Sequence, residues 1–185
     1  ARAGKKLTLD AKTIEHIKHD SDSWNKKFWF VTRETYNSKT TTTHQQQQGS
    51  QLLGTDSVLL QSGDDMRMTA AKVDAGSELM VDSGAGLDIL AGIDSKRTEQ
   101  QVRHRKDLWR GDSDSDQLKE TAKGSTLSAG HMSIKASDNL NVQGSSLHSR
   151  GDLAIQAKQA DIGTTTLQEH GTQRDYRGAL VSGTF

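Results

Sequence analysis

A chain of 185 residues that is 31% hydrophobic and 4% aromatic, carries no formal net charge and lacks cysteine and proline excludes several classes at once. Without cysteine there is no disulfide framework and no thiolate chemistry. A zero net charge lacks the electrostatic footprint of a nucleic-acid binder, so no nucleic-acid partner is expected, and no apolar run is long enough to span a bilayer as a helix.

In chain order, the first apolar residues are Leu7, Leu9 and Ile14. Their spacing repeats that of Met66, Met68 and Val73, so the chain is expected to open inside a repeat. No hydrophobic run of the signal-peptide kind follows Ala1–Lys6. A first insertion covers roughly residues 15–48 and holds Trp24, Phe28, Trp29, Phe30 and Tyr36, most of the aromatics. Thr40 to Thr43 and Gln45 to Gln48 follow. β-Branched and aromatic residues favour strands, which predicts a long hairpin.

Residues 50–94 alternate apolar and polar: Val58 and Leu60, Met66 and Met68, Leu79 and Val81, Leu87 and Ile89. A period of two means strand rather than helix. Turn signals introduce the units, among them Gly63-Asp64-Asp65 and Gly76-Ser77-Glu78. A second insertion covers roughly residues 95–123. Its basic first part has Lys96, Arg97, Arg103, Arg105, Lys106 and Arg110; Asp112, Asp114, Asp116 and Glu120 come after. A fold-back at Gly111 would set a basic arm against an acidic arm, with cross-strand pairs. Residues 124–168 alternate again, and a third departure begins near residue 169. The insertions leave after Ile14, Ile93 and Leu167.

The alternating segments repeat. Val58, Leu60, Met66, Met68, Val73, Leu79 and Val81 answer to Met132, Ile134, Leu140, Val142, Leu147, Leu153 and Ile155, where 132 − 58 = 155 − 81 = 74. Inside this lies a shorter period, 79 − 58 = 87 − 66 = 153 − 132 = 21. Such periods mark a solenoid whose repeats bury their apolar faces against their neighbours. Short strands at this length predict an all-β fold, a parallel β-helix of about 21 residues per coil with long β-hairpin extensions. The lack of proline fits, because stacked coils use nearly every backbone N–H. An antiparallel sandwich is the alternative, but it requires no constant offset. Residues 1–185 read as a single β-helix fragment of a larger protein.

No residues stand out for catalysis, cofactor binding or metal binding. HExxH and GxSxG are absent, and Gly84-Ala85-Gly86 reads as a turn. Asp112-Ser113-Asp114-Ser115-Asp116 begins like a calcium loop but has Lys123 where the closing Glu belongs. His16, His19, Asp20 and Asp22 lack a clear third ligand and read as surface residues. Arg110-Gly111-Asp112 spells an adhesive tripeptide at the expected hairpin tip, or simply a charged glycine turn. Trp24, Phe28, Trp29, Phe30 and Tyr36, with Trp109 and Arg110, are the candidate contact surface. The alternative is that the rings pack against the solenoid. A polysaccharide-active β-helix enzyme is a third reading, but it needs carboxylates gathered in one groove, and none recur on one face, so an enzyme is not expected.

Gly49-Ser50-Gln51-Leu52 and Gly124-Ser125-Thr126-Leu127-Ser128-Ala129-Gly130, each followed by alternating units, carry a resemblance. So do Asp138-Asn139-Leu140-Asn141-Val142-Gln143-Gly144-Ser145 and Gly151-Asp152-Leu153-Ala154-Ile155-Gln156-Ala157. The chain resembles the haemagglutinin-repeat region of two-partner-secretion exoproteins, which include filamentous haemagglutinin-like adhesins and contact-dependent growth inhibition effectors. The resemblance implies a right-handed parallel β-helix within a secreted, cell-surface filament. Its partners would be an outer-membrane two-partner transporter and a target-cell surface or outer membrane, its role toxin delivery or, alternatively, host-cell adhesion and virulence. The aromatic and charged insertions depart from the Ser/Gly-rich ones more usual in that family.

Overall fold

The computed structural model describes residues 1–179, and among them all regular structure is strand. In chain order the strands begin with β1 (Arg2–Ala3), β2 (Leu7–Leu9), β3 (Lys12–Phe28), β4 (Val31–Gln48), β5 (Gln51–Gly54) and β6 (Ser57–Ser62). There follow β7 (Met66–Thr69), β8 (Lys72–Ala75), β9 (Glu78–Ser83), β10 (Leu87–Leu90), β11 (Gly92–Lys106) and β12 (Trp109–Lys123). The last are β13 (Thr126–Ala129), β14 (His131–Ala136), β15 (Asn139–Gln143), β16 (Ser146–Ser149), β17 (Leu153–Gln156), β18 (Gln159–Gly163) and β19 (Glu169–Ala179). The chain divides into two units. One comprises Ala1–Ile14, Gln46–Asp94 and Thr121–Leu167; the other comprises Glu15–Gln45, Ser95–Glu120 and the residues from Gln168.

The first unit is β-helix-like. Its short strands form three parallel sheets, ordered β1-β6-β9-β14-β17, β2-β7-β10-β15-β18 and β5-β8-β13-β16. The chain visits the three sheets in turn, so each strand pairs with the strand one circuit on. Val58 lies beside Leu79, Leu79 beside Met132 and Met132 beside Leu153. Met66 lies beside Leu87 and Leu87 beside Leu140. Residues 74 apart in sequence are therefore second neighbours in a ladder. Their shared neighbour is 21 residues from one of them and 53 from the other (132 − 79), the excess over 21 being the second insertion.

Alternation decides which side chains go inside. In β9 the order is exposed-buried-exposed-buried, and Leu79 and Val81 are fully enclosed. Leu60, Met68, Val73, Leu87, Ile89, Leu127, Ile134 and Leu140 complete the interior. Burying each such side chain contributes about 1.5–3 kcal/mol, which is how a chain poor in hydrophobic residues sustains a narrow core. Ile14 departs from expectation. The neighbour of Val73 is Leu52 on β5, whereas Ile14 lies in β3, because the first insertion interrupts the circuit between β2 and β5.

Corners between sheets are held by serines and glycines. Ser83 Oγ lies within hydrogen-bond distance of the carbonyls of Asp64 and Gly86, at 2.9 and 2.8 Å, which share its one proton. A Cβ on Gly84 would collide with the Gly63 carbonyl, and one on Gly63 with that of Gly4, so close stacking there requires glycine. Among the described residues no buried side-chain nitrogen or oxygen lacks a hydrogen-bond partner.

The second unit is one sheet, ordered β3-β4-β11-β12-β19. The second strand of one hairpin pairs antiparallel with the first strand of the next: β4 with β11 and β12 with β19. None of its described side chains is buried, so it has no core of its own and depends on cross-strand pairs. The insertions lie between β2 and β5 and between β10 and β13, while β7 and β15 lead to β8 and β16 without one. Each two-circuit repeat thus adds two strands to every parallel sheet and two to the antiparallel one. The second hairpin turns at Asp107-Leu108, not at Gly111, and Gly111 lies inside β12.

Candidate functional site

The antiparallel sheet collects the residues singled out from the sequence, because its hairpins contain nearly all the aromatics. It divides them into two groups. Along the strands, Trp24 stacks on Tyr36 with ring centroids 5.6 Å apart and planes 16° apart. His104, the β11 neighbour of Tyr36, meets both rings at 6.2 Å. Offset stacks and tilted pairs of this kind stabilise by about 0.5–1.5 kcal/mol each. Lys26 Nζ sits 5.5 Å from the Trp24 ring centroid. This row binds three strands together, a structural use for Trp24 and Tyr36.

The second group occupies the turns. Phe28, Trp29, Phe30 and Val31 surround the first and are 59%, 82%, 96% and 64% exposed. Leu108 and Trp109 lie at the second, each 65% exposed. Asp107 N donates to the Arg33 carbonyl at 2.8 Å and joins the two turns. Trp29 and Asp107 have φ of 58° and 51°, in the left-handed region that a bulky side chain rarely adopts. The rings at the turns therefore face solvent, whereas Trp24 is only 40% exposed.

Electrostatics follow the strand pairing. Arg97 bonds Asp116 through two nitrogens, at 3.1 and 2.7 Å, and Arg103 bonds Asp114 at 2.6 and 3.2 Å. These hydrogen bonds hold the carboxyls of Asp114 and Asp116 below the usual carboxylate range and raise both guanidiniums, with partial burial opposing each shift. A hydrogen bond from His104 Nε2 at 3.0 Å lowers Glu34, burial opposes, and the charges of Lys106 and Lys26 add to the lowering. The basic and acidic arms thus meet through their side chains although the turn lies four residues before Gly111.

The motifs weighed for other chemistry resolve in the same sheet. Asp112, Asp114 and Asp116 lie on an extended strand and pair with Arg103, Arg110 and Arg97, which is not the geometry of a calcium loop. Arg110 Nε bonds the Asp112 carboxylate at 2.7 Å, so the adhesive tripeptide closes on itself within β12. His19 approaches Thr41 Oγ1 at 3.1 Å, and Lys18 pairs with Asp20 at 2.7 Å. His16 and His19 lie an odd number of residues apart on one strand and point to opposite faces. Among the described residues no group of three or more His, Asp or Glu is placed to hold a metal ion. Val31, Leu108, Lys27 and Arg33 were missed in the sequence because only strand pairing makes the two turns neighbours.

The family model described as hemagglutinin repeat matches residues 11–104 and 109–180. A protein of Serratia marcescens named "Hemolysin" is 27% identical over 180 residues, covering 93% of this chain and 11% of that protein. The chain therefore spans about a tenth of the length of this relative. No solved structure matches. Two matched segments that together cover most of the chain assign it to the haemagglutinin-repeat family, the repeat region of two-partner-secretion exoproteins.

Proposed function

We propose that this chain is a structural and adhesive segment of a secreted bacterial surface filament, from an effector of the contact-dependent growth inhibition type. Right-handed coils of about 21 residues supply rigidity through stacked backbone ladders. The hairpin sheet supplies the contact surface toward a target cell, and the parent protein leaves its own cell through an outer-membrane two-partner transporter. The segment works by shape and contact, without a reaction of its own.

The observation that carries this reading is the sheet with no buried side chains whose turns display Phe28, Trp29, Phe30 and Trp109. Contiguous exposed rings at turn tips mark an interaction site more often than a scaffold needs them. The test is binding of the labelled chain to bacterial cells and to epithelial cells, beside a variant with these four residues replaced by serine. Tip-dependent binding to bacteria supports the growth-inhibition reading. Tip-dependent binding to epithelial cells alone replaces it with host-cell adhesion. Binding that ignores the substitution refutes the turns as contact surface.

A further inference from the structure

The partner of the exposed turns can be named by chemistry, taking the proposed contact surface as the starting point. The two turns are neighbours, because β4 and β11 pair out to Glu34 and Lys106 and Asp107 N bonds the Arg33 carbonyl. Together they form a convex apolar tip of six side chains, each more than half exposed. Exposed rings at a tip can insert into a deformable apolar phase without a preformed complementary pocket.

Charge separates along the same strands. Residues 24–36 and 103–114 hold Lys26, Lys27, Arg33, Arg103, Arg105, Lys106 and Arg110 against Glu34, Asp107, Asp112 and Asp114, a net of 7 − 4 = +3, while the whole chain sums to zero. Glu34 is occupied by His104 and Lys26, and Asp112 by Arg110. Lys27, Arg33, Arg105 and Lys106 remain as a basic collar behind the rings, with Arg33 5.2 Å from the Phe28 ring centroid. Aromatic residues ahead of long cationic side chains match the headgroup layer of a bilayer, where rings sit among the headgroups and cations reach phosphates.

Trp29 adds an independent observation. Its φ of 58° places a bulky residue where glycine or asparagine would fold without strain. The strain is retained at the one position where the ring is 82% exposed and contributes little packing.

We infer that the paired hairpin turns dock into the headgroup layer of a membrane bearing anionic phosphate lipids, with Trp29, Phe30 and Trp109 inserting and Lys27, Arg33, Arg105 and Lys106 contacting phosphates. The probe is the full chain mixed with phosphatidylcholine vesicles, with or without phosphatidylglycerol, followed by sedimentation and tryptophan emission. Binding with a blue shift is expected on the anionic vesicles and should weaken as salt rises. Trp29→Gly relieves the strained turn, so it should fold at least as stably while losing about tenfold or more in vesicle affinity. Lys27→Glu with Lys106→Glu should lose anionic-vesicle binding while circular dichroism stays unchanged. Equal binding to both vesicle types, or full binding by Trp29→Gly, overturns the inference. Tip-dependent binding to cells without vesicle binding also overturns it, but leaves the contact-surface reading standing with a protein or glycan partner. Loss of cell binding and vesicle binding in the wild-type chain removes both.

Discussion

Ser125 closes the base of the second hairpin on Leu90. Its Oγ donates to the Leu90 carbonyl at 2.7 Å and accepts from Ala71 N at 3.0 Å, and the side chain is fully buried. The two residues lie on either side of the 15-residue strands β11 and β12. One hydroxyl thus satisfies two corner groups where the circuit is interrupted and resumed.

Ser125→Ala should therefore cost about 1–3 kcal/mol, because it leaves the Ala71 N–H without its partner, while the Leu90 carbonyl keeps its bond from Ala70 N. Urea unfolding monitored by circular dichroism checks this. Half-buried Ser128→Ala on β13 serves as the control and should change stability less.

Leu87→Ala should destabilise by about 2–5 kcal/mol, since Leu87 is fully enclosed between Met66 and Leu140 in its ladder and the narrow interior has few ways to collapse. The same unfolding measurement applies. A loss below about 1 kcal/mol would mean that the coil repacks freely.

Gly84→Ala should cost at least about 1–3 kcal/mol, because its Cβ would drive into the Gly63 carbonyl, a backbone atom that cannot swing aside. Gly111→Ala is the comparison. Nothing lies within 4 Å of a Cβ there, and the substitution should be tolerated.

Acid should loosen the hairpin sheet, modestly because the groups are exposed. Glu34, Asp114, Asp116 and Asp175 have carboxyls held low, the first three by His104, Arg103 and Arg97 and the last by Ser113 and then Gln173. A carboxylate lowered by folding contributes stability above its unfolded value, about 4, and that stability is lost as pH falls through the lower folded value. Amide exchange or NMR between about pH 5 and pH 2 should show the antiparallel strands loosening before the parallel ladders. Asp116→Asn should remove part of that dependence. The raised guanidiniums lose their contribution only at alkaline pH beyond ordinary use.

Trp24→Ala should loosen β3, the edge strand of the sheet, by about 1 kcal/mol through loss of the stack on Tyr36. Slower proteolysis of the wild-type first hairpin than of the variant is the readout. Trp29→Ala should not reproduce the effect, because Trp29 is the more exposed ring.

The sequence by itself determined the circuit. Alternation chose which residues of each strand go inside, and the offset of 21 chose which strands become neighbours wherever no insertion intervenes, because a side-chain period of two and in-register stacking leave little freedom. Met66 beside Leu87 is legible from that offset, and Leu7 beside Met66 from the matching spacing of Leu7 with Leu9 and Met66 with Met68. Ile14 does not take the place beside Val73, because spacing alone does not reveal that the long strand β3 starts at Lys12. The second turn was assigned to Gly111 because glycine is the commonest turn residue, yet strand pairing with β4 and β19 set the turn at Asp107-Leu108 despite the positive φ it imposes. Only the tertiary structure decided how the aromatics divide. Trp24 and Tyr36 meet because register places them side by side, while Trp29, Phe30 and Trp109 come together at joined turns that lie some 80 residues apart in sequence. Pairing between hairpins is a long-range property, and no local pattern encodes it.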